Sequence, residues 1–200
     1  MKLASRIFVL VGIAVTLGLA VWAGYVFYDL ARAPLSVPRP HSYDAARQNI
    51  LELQEHALSE AARGEKAFFI SHVGCAAPAV WQDPRVVDNL KRMRDAGVDV
   101  KLVMGIAGAG GEVHATNWSQ QFAQNLAERG LGPGTYAVRE RELPCHSAVA
   151  GSERSPRAYI ALPQKDDTYP TQYITTTDAG VCLEWKDYLV KAFDTAEHSG

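Results

Sequence analysis

The chain has 200 residues, of which 48% are hydrophobic and 21% are charged, and its formal net charge is −2 at pH 7. The length fits one compact domain with a further element, and a charge near zero gives no general argument for binding nucleic acid or anionic lipid. None of the three cysteines forms a C-x-x-C pair, which excludes a zinc ribbon and a dithiol redox motif.

The first predicted element is a membrane-spanning helix over residues 7–28, which carry no charged side chain and are long enough to cross a bilayer. Lys2 precedes this run, which favours a cytoplasmic stub of residues 1–6 and a domain outside the cytoplasm, periplasmic in a Gram-negative organism. A cleaved signal peptide is the alternative, although the run is longer than a usual signal core. The proline-containing residues 29–42 then predict an extended spacer.

The predicted folded domain covers residues 43–200. Ser42 is a helix N-cap, and Gly64 ends the helix that follows it; Asp83 and Gly97 bound a second helix in the same way. Two further helices are predicted over 116–130 and 179–197, and the predicted strands are 66–74, 98–106, 135–141, 146–151, 157–163 and 171–177. Alternating strands and helices favour an α/β fold, with a mixed, mainly parallel sheet flanked by helices.

The stretch from Lys66 to about Ala196 resembles one half of the phospholipase D superfamily in the order of its elements, most clearly in "DPRVVDNLKRMRDAGVDVKLVMG". The family signature is a histidine, a lysine two residues later and an aspartate five residues further, followed by Gly-Ser-x-Asn. His146 matches the histidine, but Ala148 replaces the lysine and Glu153 replaces the aspartate. Residues 159–162 do not match Gly-Ser-x-Asn. The resemblance therefore implies a single phospholipase D-like half with a degenerate motif.

In active relatives the motif histidine attacks phosphorus, and two motifs share one site. The resemblance thus implies His146 and Glu153 as catalytic candidates, with an opposing His146 in a homodimer. Loss of the lysine favours a catalytically degenerate domain that binds a phosphate-bearing or other anionic ligand, or supports an envelope assembly. An active phosphodiesterase or nuclease, with Arg154 or Arg157 replacing the lysine, and a non-enzymatic interaction module are the alternatives. Nucleic acid as a partner stays open.

Other candidates surround the first predicted strand. His72 and Cys75 end that strand, which we expect to neighbour the strand opened by Cys145 and His146. This placement allows a Cys75–Cys145 disulfide in an oxidising compartment, three reduced thiols, or a cysteine nucleophile with a histidine base. The spacing is unlike that of zinc modules, so neither a metal nor a cofactor is predicted.

A glycine-rich stretch lies at residues 105–112, between a predicted strand and a predicted helix. It lacks the third glycine of a dinucleotide-binding motif and the lysine of a P-loop, which favours an ordinary loop. His114 beside it is a candidate for the rim of the site. The predicted ligand-binding residues are therefore His72, His114, Arg154 and Arg157.

Overall fold

The computed structural model describes residues 38–73, 78–105, 116–132, 134–139, 146–162 and 172–196. The strands are β1 (Arg39–Pro40), β2 (Phe68–Val73), β3 (Asp99–Gly105), β4 (Tyr136–Arg139), β5 (Ser147–Ser152), β6 (Ser155–Leu162) and β7 (Gln172–Thr176). They form one sheet in the order β1-β7-β6-β5-β2-β3-β4. The described helices are α1 (Tyr43–Ala62), α2 (Pro78–Trp81), α3 (Pro84–Asp95), α4 (Thr116–Glu128) and α5 (Ala179–Asp194).

The sheet is mixed, as predicted, but it is mainly antiparallel and the prediction of a mainly parallel sheet is wrong. Only the β2–β3 and β3–β4 pairs of this sheet are parallel among the described strands; the other neighbouring pairs are antiparallel. The reason is the length of the connections. Two residues, Glu153 and Arg154, join β5 to β6, and the segment 163–171 is shorter than the roughly twelve residues that a parallel crossover needs.

Helices cover both faces of the sheet. On one face, α1, α3 and α4 bury apolar side chains around Phe69 and Leu90. On the other, Leu189 and Phe193 of α5 pack with Ile70 of β2. All six residues of β2 are consequently buried, which explains why this strand is mostly apolar, apart from Ser71 and His72, and does not alternate between polar and apolar residues.

The predicted starts of two helices are confirmed at their caps. Ser42 Oγ accepts a hydrogen bond from the Ala45 amide at 3.1 Å and begins α1. Asp83 Oδ1 accepts one from the Arg85 amide at 2.9 Å and begins α3. The Arg85 guanidinium also donates to this carboxylate, and this hydrogen bond is the main reason that the pKa of Asp83 is lowered. Both caps satisfy amides that the first helical turn leaves open.

Two short elements lie where the sequence predicts none. α2 replaces part of the predicted loop before Asp83. β1 lies within the predicted proline-rich spacer, where Arg39 pairs with Tyr173 of β7. This pairing ties the chain before α1 to the sheet, and it thereby holds His41 close to β6 and β7.

The predicted membrane anchor requires a correction. No helix within the described residues, which begin at 38, combines the length and apolar character needed to cross a bilayer. The 20-residue α1 is long enough, but it carries charged side chains such as Arg47 and Glu52. The predicted span at 7–28 lies outside the described residues. The described residues therefore give no support to the predicted anchor or to the extracytoplasmic location that depended on it.

Candidate functional site

A small pocket lies where β2 ends and β5 begins. Its volume is about 30 Å³, enough for about two water molecules. Ile50 of α1 and Trp81 of α2 contribute to its apolar wall. Three histidines and three hydroxyl-bearing residues make up its polar lining: His41, Ser71, His72, His146, Ser147 and Tyr159. The described lining residues include no carboxylate, lysine or arginine.

The imidazoles of His72 and His146 face each other in this pocket. Their ring centroids are 5.0 Å apart and their planes differ by 38°. His72 is 3% exposed, whereas His146 is half-buried. The two meet because β2 and β5 are antiparallel neighbours, with Ser71 opposite Ala148. This confirms the predicted adjacency of the two strands.

The backbone around both histidines is held by neighbouring strands. The Ala161 amide of β6 donates to the carbonyl of His146 at 2.8 Å. Ser71 Oγ is 3.2 Å from the carbonyl of Ser147 and 3.3 Å from that of His72. The two imidazoles therefore project from a hydrogen-bonded frame and not from a loose loop.

Ser147 is also one of the residues that line the pocket. The residue is 2% exposed, and its hydroxyl has no hydrogen-bond partner among the described residues. Buried hydroxyls are almost always partnered in folded proteins. The oxygen of a bound water or ligand would satisfy this group.

His41 brings a third imidazole to the pocket from the chain between β1 and α1. Its ring centroid lies 6.3 Å from those of Tyr159 and Tyr173. Burial lowers the pKa of His41, and the electrostatic effect of the nearby His146 lowers it further. At neutral pH the imidazole of His41 is therefore mostly uncharged.

The position of the family lysine is closed. Ala148 is fully buried and pairs with Tyr159 across β5 and β6. Paired residues of neighbouring strands project on the same face of the sheet, so the phenol ring lies beside the methyl group of Ala148. Ala148 is not among the residues that line the pocket, whereas its partner Tyr159 is.

The structure separates the remaining predicted residues from the pocket. Glu153 lies in the turn after β5, where its exposed carboxylate is 3.3 Å from Lys186 Nζ. Arg154 in the same turn pairs with Glu65 at 3.1 Å, and Arg157 is exposed on β6. Neither arginine lines the pocket in the part of the chain described. Three further candidates lie outside the described residues: Cys75, His114 and Cys145.

The sequence did not predict four of the polar residues that line the pocket. His41 falls in a predicted spacer, and Tyr159 falls where the Gly-Ser-x-Asn segment of the family would stand. Ser71 and Ser147 are each adjacent to a predicted site histidine, which is the one sequence signal that could have found them. No group of three or more histidine, cysteine or acidic side chains within the described ranges is placed to hold a metal ion.

No protein-family model matches the sequence, and no curated protein does. Among solved structures, the chain is similar to an archaeal chromatin protein, TrmBL2, whose structure shows a novel mode of DNA binding; the TM-score is 0.51 at 10% identity, over 93% of this chain and 63% of that chain. It is also similar to polyphosphate kinase from Porphyromonas gingivalis, a phospholipase D superfamily member, with a TM-score of 0.47 at 12% identity, over 86% of this chain and 29% of that chain.

This chain spans less than two thirds of either solved protein. At 10% identity the first likeness shows a shared fold alone. The second likeness has a TM-score below 0.5 and supports no conclusion about this chain. The comparisons therefore assign the chain to no specific family.

Proposed function

We propose that the pocket binds the phosphate group of a phosphate-bearing ligand and that the domain is catalytically degenerate. The observation that carries this proposal is the 5.0 Å separation of the His72 and His146 rings in a pocket without a carboxylate among its described lining residues. At this separation one ligand oxygen can reach both imidazoles. Imidazole and hydroxyl groups donate hydrogen bonds to such an oxygen.

The polar groups beside the histidines suit an anion. Ser71 and Ser147 both belong to the lining, and a phosphate oxygen can accept a hydrogen bond from a hydroxyl group. Tyr159 adds a phenol to the same lining. The small volume suits one tetrahedral group and leaves no room to bury a nucleotide or a sugar beside it.

Weak or absent turnover follows from the missing cation. Charge on the non-bridging oxygens of a phosphodiester transition state needs a preorganised positive group. Loss of one such donor costs about a hundred- to a thousandfold in rate. Ala148 holds the lysine position, and Arg154 and Arg157 lie away from the pocket, so no described residue replaces that charge.

Nucleic acid is one source of a phosphodiester. The archaeal chromatin protein with the similar fold binds DNA, and the DNA backbone is a chain of such groups. The net charge of −2 adds no attraction of its own. A test of the proposal therefore uses two ligands, an oligonucleotide and a small phosphodiester.

The test uses the full chain. Binding of dimethyl phosphate and of a thymidine oligonucleotide is measured by isothermal titration calorimetry for the unmodified protein, His146→Asn and His72→Asn. His56→Gln is the matched control, because His56 lies on α1 with Nε2 2.7 Å from the Ser155 carbonyl and does not line the pocket. We expect at least a tenfold loss of affinity in the two pocket variants and no change in the control.

Turnover of a chromogenic phosphodiester is measured on the same proteins. We expect hydrolysis no faster with the unmodified protein than with His146→Asn. Hydrolysis that His146→Asn abolishes would overturn degeneracy in favour of an active phosphodiesterase. Equal binding by the pocket variants, or no binding by any of the proteins, would overturn the phosphate-binding proposal and favour an interaction module.

A further inference from the structure

His41 is the pocket residue furthest from the family signature in sequence. It reaches the site because β1 pairs with β7, which fixes the backbone two residues earlier at Arg39. Its ring then lies beside Tyr159 and Tyr173 and lines the same pocket as His72 and His146. Three ionisable imidazoles thus line one pocket, whose volume is about 30 Å³.

We infer that the pocket is a proton-gated anion site, in which His41, His72 and His146 take up protons as a tetrahedral anion binds. This inference rests on the proposed phosphate-binding function and adds His41 and a pH dependence to it. It predicts that the affinity for the anion rises as the pH falls.

Several titratable groups face the imidazoles of the pocket. His41 faces the imidazole of His146 and the phenols of Tyr159 on β6 and Tyr173 on β7, and β2 adds His72. Each positive imidazole therefore repels the next, in partly buried surroundings that disfavour charge.

A bound anion reverses this balance. A doubly charged tetrahedral ion between the rings compensates two positive charges, and each imidazolium donates from both ring nitrogens. The lowered pKa of His41 in the unoccupied site, caused by burial and by His146, agrees with this account. Binding and protonation are then linked, so each stabilises the other.

The first experiment follows the histidine ring protons of the full, unmodified chain by NMR as the pH is varied, with and without sulfate. Sulfate is the probe because its charge does not change across the range in which histidine titrates, about pH 5 to 8. We expect sulfate to raise the pKa values of His41, His72 and His146 and to leave the ring-proton chemical shifts of His56 unchanged. Equal effects on His56 and the pocket histidines would overturn the inference.

The second experiment measures sulfate binding by calorimetry in buffers of different ionisation enthalpy, which gives the number of protons taken up. For one required proton, Kd rises about tenfold per pH unit above the pKa of that histidine. We expect His41→Gln to take up fewer protons and to show a shallower pH dependence, whereas His56→Gln behaves as the unmodified protein. His41→Asn serves as a second variant if the glutamine perturbs folding.

The outcomes distinguish the two proposals. Absence of sulfate and dimethyl phosphate binding at every pH overturns the proposed function, and this inference with it. Binding that is equally tight at pH 6 and pH 8, or proton uptake that His41→Gln does not reduce, overturns the proton gate and leaves phosphate binding intact. Titration of a thymidine dinucleotide and of glycerophosphocholine then separates nucleic acid from lipid headgroups as the source of the phosphodiester.

Discussion

Ala148 pairs with Tyr159 across β5 and β6. Ala148 is the residue that the resemblance aligns with the lysine of the phospholipase D motif. Both residues are buried: Ala148 is fully buried, and Tyr159 is 3% exposed. An aromatic ring therefore adjoins the residue that the resemblance aligns with the motif lysine. A lysine at this position would place its ammonium group in buried surroundings, between the partner residues Ser71 and Tyr159.

Ala148→Lys should destabilise the protein by about 3 kcal/mol or more, since an unpaired ammonium group loses its hydration on burial. Urea unfolding at pH 7 measures this loss. Ala148→Met adds similar volume without charge and is expected to cost about 1–3 kcal/mol through overpacking. Equal costs for the two variants would contradict the electrostatic explanation and assign the whole effect to volume.

The order of the elements could be predicted because their signals are local. Ser42 and Asp83 cap helices with their own side chains, and Gly64 and Gly97 adopt positive φ where those helices end. His41 could not be placed, because its position depends on the pairing of β1 with β7, which are far apart in sequence. The direction of β5 to β7 was missed because strand-like residues carry no mark of parallel or antiparallel pairing.

The site was predicted in part for the same reason. The adjacency of His72 and His146 follows from strand ends that periodicity locates, and the structure brings the two rings together. The side chains of Glu153 and Arg154 lie in the tight turn between β5 and β6, away from the pocket. Spacing along a motif could not reveal this, because it does not report where a strand ends and turns.

Gly151 should be among the least replaceable glycines of the described sheet. Its φ is +119°, and a Cβ at this position would collide with the Ser155 carbonyl and lie 2.8 Å from His56 Nε2. We expect Gly151→Ala to reduce the free energy of unfolding by about 3 kcal/mol or more, from backbone strain and overpacking together.

Gly97→Ala provides the matched control for this measurement. Gly97 also has a positive φ, +77°, but a Cβ there meets nothing within 4 Å. Its substitution should cost about 1 kcal/mol, the strain of the left-handed conformation alone. Urea midpoints that are the same for both variants would show that the collision at Gly151 relaxes without cost.

Cys182 should be inert in the folded protein. The residue is fully buried in α5, and burial, together with the Asp178 carboxylate, raises the pKa of its thiol to about 11. Because the thiolate is the reactive species, alkylation by iodoacetamide at pH 8 should be at least a hundredfold slower in the native chain than in urea. Mass spectrometry of the Cys182 peptide separates it from Cys75 and Cys145, and native labelling within tenfold of the unfolded rate would contradict the prediction.

Acid should destabilise the protein in the absence of an anion, partly through His41. The pKa of His41 is lowered in the folded state from its ordinary value of 6.5, so the unfolded chain binds this proton more readily. The contribution of His41 to stability is therefore complete above about pH 6.5 and is lost as the pH falls through the lower folded-state pKa.

The measurement for this last prediction is the thermal midpoint, Tm, of the full chain between pH 8 and pH 5 without sulfate or phosphate. His41→Gln removes the titrating group, and we expect its Tm to fall less on acidification than that of the unmodified protein, with His56→Gln as the control. Sulfate should raise the Tm of the unmodified protein more at pH 5.5 than at pH 8, because the anion binds the protonated folded state by mass action. Parallel pH profiles for His41→Gln and the unmodified protein would show that His41 is protonated equally in the folded and unfolded chains.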